Sequence, residues 1–402
     1  MSGDWTEFYR KAGLPPVINV SGTMTSLGSS IAVPEAVAAT AAMMPYFVRM
    51  GDLHAKASRS IAAATGAEAG FVTASASAGI TLAIAAAMTG PDLARIEQLP
   101  DTTGMKNRVV LQAGHSCYYG APLTQTIRLA GAVADVVGDS TLVSEHNINA
   151  ALTDATAAAL FVVSHHVVDY GQIPLRRFAE LCHARGVPVI VDAASEYDLT
   201  GFLEAGADIA IYSAHKFLGG PTAGIVAGKR DLVRAGYMQN SGIGRGMKVG
   251  KESIAGTIAA LDAWATRRHD DIRASESAAL KLWLAASSGH AGVVAQIVPD
   301  PTDNPLDRLE LQVHADAAGA DALTIALDLA AGDPAIIVRD HRADRGVLQL
   351  DPCNLHPGQA EIVADRLSQT FARAARRQMP VADADAWRRR AETGYTTWDA
   401  AE

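Results

Sequence analysis

Asp208-Ile-Ala-Ile-Tyr-Ser-Ala-His-Lys-Phe-Leu-Gly-Gly-Pro-Thr-Ala-Gly-Ile-Val-Ala-Gly228 is the most informative segment of the 402-residue sequence. It predicts an apolar strand that ends at Ser213, a tight turn that carries Lys216, and a second apolar strand after Gly219-Gly220-Pro221. Most lysines lie in solvent, often in a turn. Here the flanks are apolar and rich in glycine, which lets a ligand approach the backbone closely. Lys216 is therefore a candidate for chemistry on a bound ligand.

The sequence on either side of this segment alternates short apolar runs with helical patterns. Continuous apolar runs are typical of strands buried on both faces, as in parallel sheets. The alternation predicts an α/β domain with a mostly parallel sheet flanked by helices. The predicted strands are Arg108–Gln112, Ile127–Leu129, Leu160–Ser164, Val187–Asp192, Ile209–Ser213 and Gly224–Gly228, and the predicted helices are Gly79–Met88, Ile148–Thr156, Leu175–Arg185 and Gly201–Gly206.

The pattern changes after about Ile254, and a smaller α+β domain is expected at the C-terminal end. The predicted elements are a long helical stretch, Glu252–Ser288, four strands, Gly292–Val298, Arg308–His314, Ala335–Arg339 and Val347–Leu350, and a helix, Gln359–Gln378. We expect an N-terminal segment (1–45) that packs on the small domain and the active site, a large domain (46–260) and a small domain (261–402).

Composition limits the function classes. With 34 Lys+Arg against 43 Asp+Glu, the net charge of −9 argues against a nucleic-acid partner, and 49% hydrophobic residues exclude a disordered chain. The three scattered cysteines favour a cytoplasmic protein without disulfides or a metal site. The first ten residues lack the apolar region of a signal peptide, and Gly79–Met88 is about half as long as a membrane span. We therefore expect a cytoplasmic enzyme that needs no membrane.

Asp192 and Lys216 form the chemical pair of the sequence. Each follows a predicted strand, and ligands of open α/β sheets bind at the carboxyl ends of strands. Pyridoxal 5'-phosphate (PLP) needs a lysine amine and an acidic partner for its ring nitrogen. Asp192 alone would serve equally well as a helix cap. The pattern Ser213-x-x-Lys216 also matches certain serine hydrolases. In those enzymes the serine opens a helix and a Lys-Thr-Gly sequence follows, whereas here Ser213 ends a predicted strand and no Lys-Thr-Gly follows.

Several motifs resemble the selenocysteine-synthase-like branch of fold type I PLP enzymes, which includes D-glucosaminate-6-phosphate ammonia-lyase and L-seryl-tRNA(Sec) selenium transferase. They are Val191-Asp192-Ala193-Ala194, Ser213-x-x-Lys216-x-Leu-Gly-Gly-Pro-x-Ala-Gly224, Val17-Ile-Asn-Val-Ser-Gly-Thr23, Thr25-Ser-Leu-Gly28 and Gly244-Arg-Gly-Met-Lys-Val-Gly-Lys-Glu252. The resemblance implies the fold type I architecture, PLP on Lys216, and Asp192 at the ring nitrogen. The position before the lysine, often acidic in the selenium transferases, is His215.

The cofactor phosphate is expected at the start of the helix near Gly79, because helix N-termini offer free N–H groups and a positive dipole end. Ser77 and Gly79 are the predicted direct contacts, with Ser75 behind them, although Ser77 could equally cap the helix. The resemblance adds Ser213, and His215 is close enough in sequence to reach the same phosphate.

The other cofactor contacts follow from the ends of neighbouring strands and from the resemblance. His115 is predicted to stack on the cofactor ring, and Ala194 to line the site. Ser164 or His165 is predicted to bind the phenolic oxygen, since adjacent histidines on a strand suit a shared metal ion poorly. Gly242 and Gly244 belong to a weak G-x-G-x-G pattern that we interpret either as an anion site for a neighbouring subunit or as a surface loop.

The substrate is expected to be an amino acid, and its carboxylate needs a cation. Arg339 is the predicted carboxylate ligand, with Arg342 and Arg345 as alternatives. The remaining predicted substrate contacts are Thr25, Ser26, Gly28 and His54, the last in a polar cluster with Arg49 and Lys56 that could also be a solvated helix face.

The resemblance favours a lyase: Lys216 takes the Cα proton, a β-substituent leaves, and ammonia is released. Racemisation or epimerisation, with His115 or His54 as the second acid, is the alternative, and β-replacement ranks lower. The resemblance also implies a homodimer, or a higher homo-oligomer, in which two chains share each active site.

Overall fold

The computed structural model describes residues 5–390, 392 and 394 and divides the chain into two compact units. The large unit is Ser30–Arg267, and the small unit combines Met1–Ser29 with Arg268–Glu402. The predicted boundaries at 45 and 260 therefore differ from the observed ones. The first four residues of the predicted N-terminal segment, and residues 391, 393 and 395–402 of the predicted small domain, lie outside the described residues.

Sixteen α-helices and twelve strands are described, numbered along the chain. They are α1 Trp5–Ala12, β1 Val17–Val20, α2 Pro34–Met43, α3 Met50–Thr65, β2 Ala69–Thr73, α4 Ala76–Thr89, α5 Leu93–Gln98, β3 Arg108–Gln112, α6 Leu123–Leu129, β4 Val133–Val137, α7 Glu145–Ala151, β5 Thr156–Val162, α8 Leu175–His183, β6 Val189–Asp192, α9 Gly201–Glu204, β7 Ile209–Ser213, β8 Gly224–Gly228, α10 Arg230–Met238, α11 Lys251–Trp264, α12 His269–Ser287, β9 Val293–Pro299, β10 Asp307–Val313, α13 Ala315–Ala318, α14 Ala322–Ala330, β11 Ala335–Arg342, β12 Val347–Leu350, α15 Gln359–Ala375 and α16 Ala384–Arg388. None of these helices is both long enough and apolar enough to cross a membrane.

The large unit is built on a seven-stranded sheet with the order β2-β8-β7-β6-β5-β3-β4. Strands β4, β3, β5, β6 and β7 are parallel, β8 is antiparallel to β7, and β2 is antiparallel to β8. Strand β2 therefore points the same way as β7. Thr73, Gln112, Val162, Asp192 and Ser213, the last residues of five strands, consequently lie at one edge of the sheet, which we call the carboxyl edge.

Apolar residues cover both faces of this sheet. One face packs Tyr212 and Val191 against Phe178, and the other packs Ile211 and Leu160 against α4. Burial on both faces explains why these strands read as continuous apolar runs. The prediction of an α/β fold with a mostly parallel sheet is confirmed.

The sequence-based prediction was wrong at Ile127–Leu129, which is the last turn of α6 rather than a strand. Leu123, Thr126 and Ile127 are its buried residues, and their spacing of three to four is that of a helix face. The strand in this region is β4, which is only half buried at the edge of the sheet and so carries no continuous apolar run. Strand β2 was also missed.

Two helical predictions had wrong boundaries. The helix predicted over Ile148–Thr156 ends at Ala151, and Thr156 begins β5. The stretch Glu252–Ser288 forms two helices, α11 and α12, with a break over residues 265–268. Helix α11 stays with the large unit because it packs along α2 and α3.

The small unit has a five-stranded sheet with the order β1-β11-β12-β10-β9, in which only the β1–β11 pair is parallel. Helices α12, α14 and α15 complete its apolar core around Trp283, whose Nε1 donates to the Ala360 carbonyl at 2.9 Å. The N-terminal strand thus joins a sheet whose other strands come from the C-terminal third of the chain.

Two glycines allow α4 to begin close to the carboxyl edge. Gly224 in β8 packs directly against the Ser75 carbonyl, and a Cβ added at Gly224 would overlap the carbonyl oxygen. A Cβ at Gly79 would lie 3.0 Å from the side chains of Ile211 and Val226. The N-terminus of α4 can therefore pack closely against β7 and β8 because Gly79 and Gly224 have no side chains.

We expect Gly224→Ala to weaken PLP binding at least about tenfold and to lower stability by about 1–3 kcal/mol, because overpacking must displace Ser75 and the start of α4. PLP titration and chemical denaturation measure the two effects. Gly51→Ala is the matched control, since Gly51 lies in α3 with open space around it, and alanine should be neutral or stabilise by up to about 1 kcal/mol. Equal behaviour of the two variants would contradict the close approach.

Candidate active site

Asp192 and Lys216 come from the ends of neighbouring parallel strands. Asp192 is the last residue of β6 and is paired with Ile211 in β7, three residues after which the Lys216 turn begins. The Asp192 side chain accepts the Ala194 N–H at 3.1 Å. Burial raises the pKa of Asp192, and the nearby Lys216 ammonium lowers it. The two predicted catalytic groups thus interact electrostatically, and a buried carboxylate here is suited to a cationic partner.

The backbone after Asp192 joins the two strands across the carboxyl edge. The Ala193 N–H donates to the Ile211 carbonyl at 2.9 Å, and the Ser213 N–H donates to the Ala194 carbonyl at 3.1 Å. Ser213 is buried and His215 is half buried. Ala194 and Ser213 therefore lie side by side, as their predicted shared site requires.

The start of α4 has the features of an anion site. Ser75 is the N-cap, and its side chain accepts the Ala78 N–H at 3.0 Å. The first N–H groups of a helix have no partner inside it, which leaves those of Ala76 and Ser77 for a ligand. The Gly79 N–H donates to the Ser75 carbonyl at 2.9 Å, and its predicted contact with the phosphate stays a prediction. Its role in the structure is to pack α4 on the sheet.

Ser77 belongs to a cluster of hydroxyl groups that the sequence analysis did not identify. Its Oγ lies 3.1 Å from the Tyr119 hydroxyl and 3.3 Å from Thr126 Oγ1, and Tyr119 also bonds Thr126. Burial raises the pKa of Tyr119, and Asp192 raises it further. Tyr119 follows an irregular loop, so no strand or helix period in the sequence could have placed it here.

His215 offers a second polar group beside Lys216. Its Nδ1 is buried without a hydrogen-bond partner among the described residues. Burial and the Lys216 ammonium lower the pKa of His215, so the neutral ring is favoured. A buried nitrogen without a partner is costly, which indicates that this position is completed by a ligand.

His115 lies at the end of β3 and is almost fully buried. Its Nδ1 accepts the Val162 N–H at 3.2 Å, and its ring meets Phe161 edge-on at 4.4 Å. Burial lowers its pKa to about 4. The ring is therefore neutral at physiological pH and carries its proton on Nε2. Stacking on the cofactor stays a prediction.

Ser164 and His165 follow β5 at the same edge. Ser164 Oγ accepts the His166 N–H at 3.2 Å, and the rings of His165 and His166 lie 3.9 Å apart. Within the part of the chain that the structure describes, no three His, Cys, Asp or Glu side chains are grouped to hold a metal ion.

Cys117 is a further group near the pair. Burial and, to a smaller extent, the Asp192 carboxylate together raise the pKa of its thiol to about 11. The thiol is therefore protonated at neutral pH.

Three other predicted residues also belong to the large unit. His54 on α3 packs at 4.7 Å against Tyr237, and burial lowers its pKa. Gly242 and Gly244 lie in short 3-10 turns, where an added Cβ would meet Ile96 and Gln239 respectively. Close packing thus accounts for both glycines, and their predicted role toward a neighbouring subunit stays a prediction.

The remaining predicted residues belong to the small unit. Thr25, Ser26 and Gly28 form an exposed 3-10 turn that Gly28 ends with φ +84°. Arg339 is buried on β11, and its Nε donates to the Ser21 carbonyl at 3.3 Å. These residues were predicted to bind the substrate.

Arg339 is part of a buried charge cluster. Burial and Arg308 lower its pKa to about 10, whereas Asp351 and Asp300 raise it. Arg308 bonds Asp351 at 3.1 Å and also pairs with Asp300. Arg342, one alternative, pairs with Glu310 at 2.5 Å. Arg339 therefore has a structural role within its own unit, and its predicted role toward the substrate stays a prediction.

Comparison with known proteins defines the class. A solved structure of D-glucosaminate-6-phosphate ammonia-lyase superposes with a TM-score of 0.83 at 36% identity, covering 93% of this chain and all of the other. A serine palmitoyltransferase from Sphingomonas wittichii superposes with a TM-score of 0.57 at 14% identity, covering 90% and 88%. The architecture is that of the fold type I PLP enzymes, as predicted.

Sequence comparison defines the branch. The family model for L-seryl-tRNA selenium transferase matches residues 102–285. D-glucosaminate-6-phosphate ammonia lyase of Salmonella typhimurium is 37% identical, over 91% of this chain and 98% of its own length. The 5'-C-glycyluridine monooxygenase-decarboxylase of a Streptomyces species is also 37% identical, over 92% and 93%. The chain belongs to the selenocysteine-synthase-like branch of fold type I PLP enzymes, and PLP is its cofactor.

The predicted resemblance to the ammonia-lyase is thereby confirmed, and so is the prediction of a PLP-dependent enzyme. The residues at the carboxyl edge fit the cofactor: a lysine beside a buried carboxylate, free N–H groups at the start of α4, and the unpartnered Nδ1 of His215. The lysine amine matches the aldehyde of PLP, the buried carboxylate matches its ring nitrogen, and the N–H groups and His215 match its phosphate.

We expect the depressed pKa of His115 to make the cofactor-free protein less stable in acid. Between pH 8 and pH 5 the unfolded histidine, with a pKa of 6.5, takes up a proton that the folded one, with a pKa of about 4, does not. The free energy of unfolding should therefore fall by about 2 kcal/mol from this group alone.

Chemical denaturation at both pH values measures this, and His115→Gln should lose that part of the decline. His146→Gln, at an exposed position on α7, is the control and should keep it. An unchanged decline in His115→Gln would contradict the assignment.

Proposed function

We propose that the protein is a PLP-dependent lyase that removes a β-hydroxyl group from a 2-amino acid and releases ammonia. The observation that carries the proposal is the placement of Lys216 beside the buried Asp192 at the ends of two neighbouring strands. The similarity to the Salmonella ammonia lyase along nearly the whole chain supports the choice of reaction.

Lys216 is proposed to hold the cofactor through its amine, and its Nζ, when free, would take the Cα proton of the substrate. Asp192 holds the proton on the ring nitrogen, because its buried carboxylate gains a cationic partner there. When bound, the cofactor supplies an electron sink for the negative charge at Cα. The Cα–H and Cβ–O bonds break, the oxygen leaves as water, and hydrolysis of the dehydrated product gives a 2-oxo acid and ammonia without any redox change.

The remaining contacts are proposed on the same basis. Ser75, Ser77, Gly79, Ser213 and His215 are proposed for the phosphate, His115 and Ala194 for the ring, and Ser164 or His165 for the phenolic oxygen. Thr25, Ser26, Gly28, His54 and Arg339 are proposed for the substrate. Gly242 and Gly244 are proposed to border the cofactor of a neighbouring subunit.

Racemisation is less well supported than elimination. It needs a proton donor on the face opposite Lys216, and the two candidates are His115 and His54. Burial lowers the pKa of both rings, and His115 also accepts a backbone N–H through Nδ1. A neutral imidazole is a weak acid, so neither histidine is suited to donate the proton that racemisation requires.

Oxidative decarboxylation is the second candidate function. It is favoured by the Streptomyces monooxygenase-decarboxylase, which is as similar in identity and in chain coverage as the ammonia lyase. This reaction consumes dioxygen and releases carbon dioxide, whereas elimination does neither.

The test is a panel of D- and L-2-amino acids with β-hydroxyl groups, including D-glucosaminate 6-phosphate, and glycyl nucleosides. Ammonia, 2-oxo acid, optical rotation, dioxygen uptake and carbon dioxide are followed together. We expect equal amounts of ammonia and 2-oxo acid without dioxygen uptake. Dioxygen uptake with carbon dioxide would support the second candidate, and loss of rotation alone would support racemisation.

Variants assign the roles. Lys216→Ala should lower turnover by about 10²–10⁴-fold, because it removes the proton-transferring amine. Asp192→Asn should retain the fold but lose most activity, since a neutral amide cannot hold a protonated ring nitrogen. Lys281→Ala, at an exposed position on α12, is the control. Full activity of Lys216→Ala would refute the proposal.

We further propose a homodimer or a higher homo-oligomer. Met44, Tyr46 and Phe47 are exposed beside an apolar pocket of about 410 Å³ between α2, α3 and α11. Apolar side chains concentrated around a pocket are typical of protein interfaces. The proposed cytoplasmic location is supported by three free cysteines, and cell fractionation tests it.

Mixing two inactive variants tests the shared site. A one-to-one mixture of Lys216→Ala with a variant altered at Gly242 and Gly244 should regain up to about a quarter of the wild-type activity, because about half of the dimers are mixed and each mixed dimer has one intact site, if one chain completes the partner's site. Sedimentation with and without PLP measures whether the dimer forms. A fully active monomer, or a confirmed mixed dimer without activity, would exclude sharing.

A further inference from the structure

The backbone of the Lys216 turn is held from outside the turn. Ser30 Oγ lies 2.6 Å from the His215 carbonyl oxygen and 2.7 Å from that of Lys216. The Lys216 carbonyl also accepts the Gly219 N–H at 2.9 Å, which closes the turn. The single hydroxyl proton of Ser30 is therefore shared between the carbonyls of the two peptide bonds before and after Lys216.

Arg267 holds the next two carbonyls. Its Nη1 donates to the Phe217 oxygen at 2.8 Å and its Nη2 to the Leu218 oxygen at 2.7 Å. The following carbonyl, that of Gly219, accepts the Val33 N–H at 2.8 Å. All five carbonyls of residues 215–219 thus lie within hydrogen-bond distance of a donor on Ser30, Arg267 or Val33.

Arg267 is itself fixed in place. Its guanidinium lies 4.7 Å from the Trp264 ring, and Tyr197 packs between Trp264 and Phe217 at 4.7 and 4.8 Å. The side chain is half buried, and burial lowers its pKa. A planar fork bonds two successive carbonyls in one orientation, which a lysine cannot reproduce.

We propose that Ser30 and Arg267 are positioning residues for Lys216: by bonding the carbonyls of residues 215–218 they fix the turn so that the lysine amine stays beside Asp192. Neither side chain has to touch the cofactor or the substrate. The inference rests on the proposed role of Lys216, and it adds two residues that no motif in the sequence marks. It explains why a turn rich in glycine can present its lysine in a single arrangement.

The test compares the holoenzyme with Arg267→Lys, Ser30→Ala and Ser30→Thr, and uses Arg268→Lys as the control. Arg268 is the next residue, is largely exposed, and pairs with Asp271. Two quantities are measured: the rate at which borohydride fixes PLP on Lys216, followed by peptide mass spectrometry, and kcat with KM. The melting temperature shows whether each variant folds.

We expect Arg267→Lys, which keeps the charge but not the fork, and Ser30→Ala to slow fixation and to lower kcat by about 10- to 100-fold, with KM nearly unchanged. Ser30→Thr keeps the hydroxyl and should recover most of both. If Arg267→Lys fails to fold, the comparison of Ser30→Ala with Ser30→Thr decides.

Wild-type behaviour of both Arg267→Lys and Ser30→Ala, or equal impairment of Ser30→Thr and Ser30→Ala, would overturn the inference. Absence of PLP on Lys216 in the wild-type protein would instead refute the proposed function, and this inference with it. The two failures are therefore distinguishable.

Discussion

The parallel pairing of β6 with β7 is the contact on which the candidate site depends. It brings Asp192, at the end of one strand, to the same edge as the turn that carries Lys216. A buried carboxylate without a cationic partner would be expensive, and the lysine ammonium reduces this cost. Reversing either strand would send the two groups to opposite edges of the sheet, about 15 Å apart at a rise of about 3.3 Å per residue.

Different structural elements around this pair contribute different chemical groups to the candidate site. Strand β6 supplies Asp192, the turn after β7 supplies Lys216, the start of α4 supplies N–H groups and hydroxyls, and the loop after β3 supplies a neutral imidazole. Rigid elements thus place the charged groups, and the irregular segments between them supply groups whose pKa values burial controls.

Much of this could be predicted from the sequence, because the sheet is buried on both faces. The runs before Asp192 and Ser213 are continuous and apolar, so their strands and carboxyl ends were identified correctly. The same reasoning failed at Ile127, where three apolar residues belong to a helical turn, and at β4, whose exposure removes the signal. Ser30, Arg267 and Tyr119 could not be found, because their roles depend on hydrogen bonds to distant or irregular segments.

Cys117 has a consequence for the selectivity of the site. Aldehydes react with thiolates as well as with amines. The Asp192 carboxylate interacts electrostatically with the Cys117 thiol and raises its pKa. Because burial and that carboxylate keep the sulfur protonated, it is a poor nucleophile at neutral pH. Burial, with a smaller contribution from the Asp192 carboxylate, therefore disfavours the Cys117 thiolate at the same edge where that carboxylate favours a cationic amine at position 216.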